Sequence, residues 1–225
     1  MMDLVLIKQP RVIPYHLVYQ IAKRVMDILI CFAILPIVLP LMLICATAIY
    51  LNSPGPIFFF QERIGKGGRP FRIYKFRTLR LSLDQTPIQS FMKAYVRGEV
   101  DCDEEGKRAY KPIQPNQIFR VGRLLRKTSL DELPQIVNVL MGNMSIIGPR
   151  PNVPCEVEAY RPWHHERLEV LPGITGLAQV HGRSCIDFNT LVRYDVQYIE
   201  NRSLALDLKI LWWTLMAIIT GNGAQ

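Results

Sequence analysis

Residues 28–51 contain no charged side chain (ILICFAILPIVLPLMLICATAIYL), whereas charges punctuate the chain on either side. About 20 apolar residues suffice to cross a bilayer as a helix, so this run predicts a membrane helix. Pro36 and Pro40 lie in its middle. Each removes a backbone donor and presses its ring into the preceding turn, so a sharp break is expected there. Basic residues stand on both flanks: Lys8, Arg11, Lys23 and Arg24 before the run, Arg63, Lys66, Arg69, Arg72, Lys75 and Arg77 after it. Basic flanks favour the cytoplasmic side, and a single span would have to export one of them. A re-entrant helix-break-helix is therefore expected in preference to a spanning helix, with the freed backbone groups satisfied by protein or water. A secretory signal peptide does not fit, because the run is too long and starts too far into the chain. A second apolar stretch at 206–219 is too short to span after Lys209. Its paired Trp212 and Trp213 suit a headgroup boundary, which predicts an amphipathic interfacial helix; packing on the core is the alternative.

Between these stretches the pattern changes. Asn52-Ser-Pro-Gly-Pro56 is a breaker cluster that ends the first helix. Residues 57–61 and 71–77 have strand character, the second alternating apolar with basic positions, and Gly65-Lys-Gly-Gly68 between them predicts a hairpin. Residues 83–115 show no strong period and collect acidic residues, reading as a solvated excursion. Helices are expected over 118–126, 131–141 and 188–200. The fold class is α+β, mainly helical.

Composition narrows the partners. Hydrophobic residues make up 49% and charged residues 20%, which is too apolar for a disordered chain. The net charge of +8 suits an anionic partner: nucleic acid, phosphorylated small molecules or an anionic membrane face. The five cysteines form no C-x-x-C pair and do not cluster with the histidines, so neither a disulfide framework nor a zinc site is expected. No P-loop, dinucleotide or nucleophile-elbow motif is present.

The strongest local signal is Arg126-Lys-Thr-Ser-Leu-Asp-Glu-Leu-Pro-Gln135. Ser129-x-x-Glu132 has capping-box form, with Asp131 favouring the positive end of a helix. Pro134 would then fall inside the helix, where it is costly. A helix starting at Asp131 instead places Pro134 in the first turn and leaves the carboxylate beside free donors, ionised, as a metal ligand or nucleophile requires. Both readings stand on spacing alone. Arg150 is bracketed by Pro149 and Pro151, Arg183 follows Gly182, and Lys75 and Arg77 are two apart on a strand, so they should project together. Guanidinium forks match phosphate oxygens. The histidines read as surface or core residues.

Taken together, these motifs resemble the bacterial sugar transferase family, the monotopic polyprenyl-phosphate phosphoglycosyl transferases. The resemblance runs from Lys23-Arg24-x-x-Asp27 through Tyr74-Lys-Phe-Arg-Thr78, the Asp131 motif, Gly148-Pro-Arg-Pro151, Pro172-Gly-Ile-Thr-Gly-x-Ala-Gln179 and Gly182-Arg183 to Asp207-Leu-Lys209. His181 and Leu79 depart from the common pattern without touching the acidic pair. The resemblance implies an N-terminal cytoplasmic or interfacial segment (1–22), a re-entrant membrane helix (23–52) and one catalytic domain (53–225). It further implies residence at the cytoplasmic face of a bacterial inner membrane. Such enzymes move a sugar phosphate from a UDP-sugar to undecaprenyl phosphate, release UMP and depend on magnesium. By the same resemblance Asp131 would be the nucleophile and Glu132 its partner, both near the metal. Lys75, Arg77, Arg126, Arg150 and Arg183 would hold phosphates, and Pro36 and Pro40 would shape the membrane break. Nucleic acid is not an expected partner; membrane lipid is, and a homo-oligomer is compatible with the chain. The rival reading is a catalytically silent membrane scaffold for polysaccharide assembly.

Overall fold

The computed structural model describes residues 17–80, 86–100, 117–181 and 186–220. Helix α1 (Leu17–Asn52) contains the whole apolar run and continues through both Pro36 and Pro40. The expected break does not interrupt it. Each proline deletes one i→i−4 bond, but its fixed φ is helical, and long apolar helical segments on both sides carry the geometry across.

One stripe of α1 faces the rest of the protein. Asp27, Cys31, Val38, Cys45 and Ile49 are buried, with Leu35 and Met42 packed against the interior between them. This spacing of three and four is one face of a helix. Its first half docks on a core built around Ile73, Val139, Met144, Ile147, Ile199 and Ile210. Its second half docks on a separate cluster with Phe76, Phe119 and Leu125. The opposite face, including Leu29, Phe32, Ile37, Leu43 and Ile44, is exposed and apolar.

Polar contacts fix both ends of α1. Arg24 donates to the carbonyl oxygens of Val139 (2.6 Å) and Leu140 (2.9 Å). These are the last carbonyls of the short helix α4 (Gln135–Leu140), where a cation complements the helix dipole. Buried Asp27 accepts from Ser145 Oγ (2.7 Å) and from the Ile146 amide (3.2 Å). Lys23 reaches Asp207 at 3.3 Å, and Tyr19 and Tyr198 donate to that same carboxylate. At the far end, Arg77 donates to the Ser53 and Pro54 carbonyls and clamps the segment leaving the helix.

The predicted hairpin is present as β1 (Phe58–Ile64) and β2 (Pro70–Phe76), antiparallel in the register Phe59↔Lys75, Gln61↔Ile73 and Arg63↔Phe71. The outer edge of β2 is completed by one side chain: Asn138 accepts from the Tyr74 amide (3.0 Å) and donates to the Arg72 carbonyl (2.7 Å). That amide takes the place of one peptide unit of a third strand.

After β2 come α2 (Thr86–Arg97), α3 (Arg120–Thr128) and α4, then β3 (Ser145–Ile147), α5 (Pro154–Val157), a 3-10 segment (Pro162–Glu169) and β4 (Gly173–Thr175). The chain then runs through α6 (Leu177–His181), α7 (Phe188–Asn201) and α8 (Leu204–Ile219). Helix α2 corrects the reading of 83–115 as excursion alone. Its apolar positions Ile88, Phe91, Met92, Tyr95 and Val96 have helical spacing, and Val96 with Tyr95 packs against Phe188. Strands β3 and β4 pair in parallel; three-residue, fully enclosed strands leave no period to read. Helix α8 buries Asp207 and Ile210 while Leu204, Leu208, Trp212, Leu215 and Ile218 stay exposed. Trp213 turns inward, against His181 and Lys209. The two tryptophans therefore serve different faces, and α8 both packs on the core and presents an apolar face.

Candidate active site

Three pieces of backbone meet at one open pocket: the hairpin face carrying Arg63, Ile73 and Lys75, the end of the acidic turn at Glu132 and Gln135, and the loop at Arg150 and Pro151. Gly173 and Ile174 of β4 close its floor.

The acidic pair lies in a 3-10 turn (Leu130–Glu132) between α3 and α4. Ser129 ends α3 in the left-handed region (φ 57°), and its side chain caps nothing. The capping-box reading therefore fails. So does the expectation that Asp131 begins a helix: α4 starts at Gln135, with Pro134 as the residue before it. A tight turn, rather than a helix end, presents the two carboxylates in succession.

Their surroundings differ. Glu132 accepts a 2.6 Å charged hydrogen bond from Lys75, and Arg150 Nη1 stands 4.0 Å away. Burial would raise its pKa, but Lys75, Arg150 and Arg63 outweigh burial and hold it below the usual glutamate value. Asp131 shifts the other way. Burial raises its pKa and the neighbouring Glu132 charge adds to this, against the opposing pull of Lys75 and Arg126. The carboxyl expected simply to stay ionised is thus a stronger base than an ordinary aspartate. Arg126, close enough to Asp131 to lower its pKa, is fixed through Nε to Thr78 Oγ1 at 3.0 Å.

Arg150 is 42% exposed and free to reach solvent or ligand, but its backbone is immobilised. Four successive carbonyls each receive a donor: Pro149 from the Gly173 amide (2.9 Å), Arg150 from Arg167 Nη2 (3.1 Å), Pro151 from Arg63 Nη1 (2.9 Å) and Asn152 from the Ile64 amide (2.9 Å). The prolines bring no N–H that would need a partner. The glycines of Pro172-Gly-Ile-Thr-Gly176 serve this packing. A Cβ on Gly173 would lie 2.1 Å from the Gly148 nitrogen, and one on Gly176 would lie 2.2 Å from the Gly148 carbonyl oxygen. The glycines thus let this strand approach the backbone at Gly148, which leads into the Arg150 loop.

Of the residues singled out from sequence, Lys75, Glu132 and Arg150 line the pocket, with Asp131 and Arg126 adjoining it. Arg77 does not join them. It lies one residue beyond β2, is 4% exposed, spends its Nη atoms on Ser53 and Pro54 and stacks over Phe119. Arg183 lies outside the described residues. Two polar pocket residues were not among the site residues expected from sequence: Arg63, whose pKa burial and the nearby Arg150 lower to about 10, and Gln135, which is 2% exposed. Arg63 was legible in principle, because hairpin pairing puts it on the Lys75 face.

Residues 18–221 match the family model described as bacterial sugar transferase. The chain belongs to that family. It is 40% identical over 214 residues to the UDP-N-acetylgalactosamine-undecaprenyl-phosphate N-acetylgalactosaminephosphotransferase of Aeromonas hydrophila, covering 92% of this chain and 46% of that protein. An exopolysaccharide production protein, ExoY, of Sinorhizobium fredii is 37% identical over 204 residues, 91% of this chain and 88% of its own length. The UDP-glucose:undecaprenyl-phosphate glucose-1-phosphate transferase of Caulobacter vibrioides is 37% identical over 211 residues, 90% of this chain and 71% of that protein. This sugar transferase chain thus spans about half the length of the Aeromonas relative and most of the Sinorhizobium one.

Proposed function

We propose that this protein transfers a sugar 1-phosphate from a UDP-sugar to undecaprenyl phosphate at the cytoplasmic face of a bacterial inner membrane, through a covalent intermediate on Asp131. The relatives named above supply the reaction class; the donors in their names differ in sugar, so the proposal stops at UDP-sugar. The observation that carries the mechanism is the divergence of two adjacent carboxylates. Glu132 is tied to Lys75 and stays anionic, while Asp131 is left more basic beside it. Groups pushed apart in this way divide chemical roles between them.

In the first step an Asp131 oxygen forms a bond to the phosphorus bearing the sugar. The bridging P–O bond breaks and UMP departs with its electron pair. In the second, an oxygen of the lipid phosphate bonds to that phosphorus and the Asp131–phosphorus bond breaks, restoring the carboxylate. Lys75, Arg63 and Arg150 offset the charge of an anionic nucleophile meeting an anionic diphosphate. The donor set suits magnesium: no third His, Cys, Asp or Glu joins the acidic pair among the described residues, and magnesium is commonly held by one or two carboxylates with substrate phosphates completing its shell. Asp131 and Glu132 would hold it, and when bound it supplies further charge neutralisation at the phosphates.

Membrane residence is supported by α1, long and apolar enough to cross a bilayer yet little buried within the protein. The basic residues on both flanks support a re-entrant arrangement in which α1, bent at Pro36 and Pro40, dips into one leaflet and both flanks remain cytoplasmic. The test uses donor without acceptor. Purified protein with magnesium and a panel of UDP-sugars should release one UMP per enzyme and leave a sugar-phosphate mass on Asp131, and Asp131→Asn should do neither. Turnover without any adduct on that side chain would sink the mechanism.

A further inference from the structure

Three consecutive phenylalanines open β1, and all are partly exposed: Phe58, Phe59 and Phe60. Alternation sends them to two faces. Phe58 stacks on Phe76 at 5.4 Å between ring centres, and Phe60 meets Tyr74 edge-on at 5.3 Å. Phe59 is cross-strand partner to Lys75, so it shares the pocket face.

The hairpin also has a direction relative to α1. Its Phe58–Phe76 end belongs to the cluster with Cys45 and Ile49 of that helix. Arg77 anchors the connecting segment there, its amide bonding the Ile57 carbonyl (2.9 Å) and its guanidinium the Ser53 and Pro54 carbonyls. Along the pocket face from the Phe58–Phe76 end, one meets Phe59 opposite Lys75, then Ile73, then Arg63. Arg63 is four residues or about 13 Å further along the strand. Each end of the face thus pairs a phenylalanine with a cation, Phe59 with Lys75 and Phe71 with Arg63, but only Phe59 is open to an apolar ligand, 36% exposed, because Phe71 packs against the core.

We propose that Phe59 seats the first isoprene units of the lipid acceptor and delivers its phosphate to Lys75, while the Arg63 and Arg150 end serves the nucleotide-sugar. This rests on the transferase reading above. A polyprenyl phosphate carries an apolar chain and a dianionic head, and Phe59 and Lys75 offer that pair of chemistries side by side. Lys75 has three N–H donors; one is directed at Glu132, and the others remain for the acceptor. As the acceptor oxygen bonds to the phosphorus on Asp131 and the aspartyl bond breaks, Lys75 offsets the incoming charge.

The experiment uses the full chain in lipid nanodiscs with undecaprenyl phosphate as acceptor. Phe59→Ser should raise the acceptor KM about tenfold with kcat changed less than about threefold, the scale of one partly buried aromatic contact. Phe59→Leu, which keeps an apolar side chain, should recover most of the loss. Phe60→Ser, removing a more exposed phenylalanine from the opposite face, should leave the acceptor KM in place. Exchange of labelled UMP into the UDP-sugar without acceptor reads the first step separately. An unchanged KM in Phe59→Ser, an equal rise in Phe60→Ser, or exchange that falls as far as transfer would each overturn the assignment. Failure of exchange in the unmutated protein would instead sink the covalent mechanism.

Discussion

Two short stretches of backbone frame the pocket, the 149–152 loop and the 129–134 turn, and they are held in different ways. The first is secured from outside: β4, the Arg167 side chain, the Arg63 side chain and β1 each bond one of its four carbonyls. The second is secured from within, by Glu132 N–H to the Ser129 carbonyl (3.1 Å) and Leu133 N–H to the Leu130 carbonyl (3.3 Å). The loop carrying Arg150 thus has its backbone bonded by distant parts of the fold, whereas the turn carrying Asp131 makes its backbone bonds locally and meets the fold through side chains, Glu132 on Lys75 and Leu130 and Leu133 in the Phe76 cluster. A group that must grip phosphate the same way each cycle gains from an immovable mount.

The largest effect should come from pulling a remote support out of the loop. Arg167 is buried, paired with Asp195 at 2.7 Å, and donates to the Arg150 carbonyl. Burial pushes Asp195 up to about 6 even with Arg167 beside it. Arg167→Leu leaves that carboxyl without its cation and should cost about 3–5 kcal/mol of stability. The pH dependence carries a definite sign. A carboxyl whose folded pKa lies above its unfolded value binds the proton more tightly when folded, so stability falls as pH rises between those two values. The melting-temperature deficit of Arg167→Leu should therefore be smaller at pH 5 than at pH 8. An equal deficit at both would mean Asp195 is not the group exposed by the change.

Arg150→Lys comes next and tests what the rigid mount is for. The fork is lost while the backbone bonds remain. Donor kcat/KM should fall about 30- to 100-fold with the melting temperature unchanged. A small kinetic effect, or one accompanied by unfolding, would count against phosphate binding by this side chain.

Lys75→Met probes the junction between the two stretches. Lys75 lowers the pKa of Asp131 and, more directly, that of Glu132. Removing it should move the acid limb of the donor half-reaction to higher pH, because in the proposed mechanism Asp131 loses its proton before it attacks. An acid limb that stays in place would show that Lys75 does not set the basicity of the nucleophile.

The same contrast explains what could be read from the sequence. The acidic pair stands out in the sequence, but neither the capping box nor a helix starting at Asp131 describes the 3-10 turn that carries it. The hairpin was plain from alternation and glycines. The loop's rigidity was not legible, because it depends on Arg167 and Gly173, many residues away in the chain. Nor was the fate of Arg77. Its spacing from Lys75 was right for a shared face, but the strand ends at Phe76, and the carbonyls leaving α1 take its guanidinium. Helix α2 is legible in the spacing of Ile88, Phe91, Met92, Tyr95 and Val96. The prolines of α1 do not end the helix, which runs from Leu17 to Asn52.

The smallest effect should come from the turn itself. Ser129 is the one described non-glycine residue with positive φ, and its side chain makes no capping bond. An L-residue in this region costs about 1 kcal/mol, so Ser129→Gly relieves strain in the folded state. Glycine also gives the unfolded chain more freedom, which takes back a comparable amount. The two terms nearly cancel. The variant should melt within about 3 °C of the parent, given the usual conversion for a chain of this size, and should lose less than about threefold in donor half-reaction rate through a looser approach of Asp131. Were Ser129→Gly to destabilise the protein as strongly as Arg167→Leu, the turn would have to be gripped by the wider fold, and the contrast between locally and globally held mounts would fail.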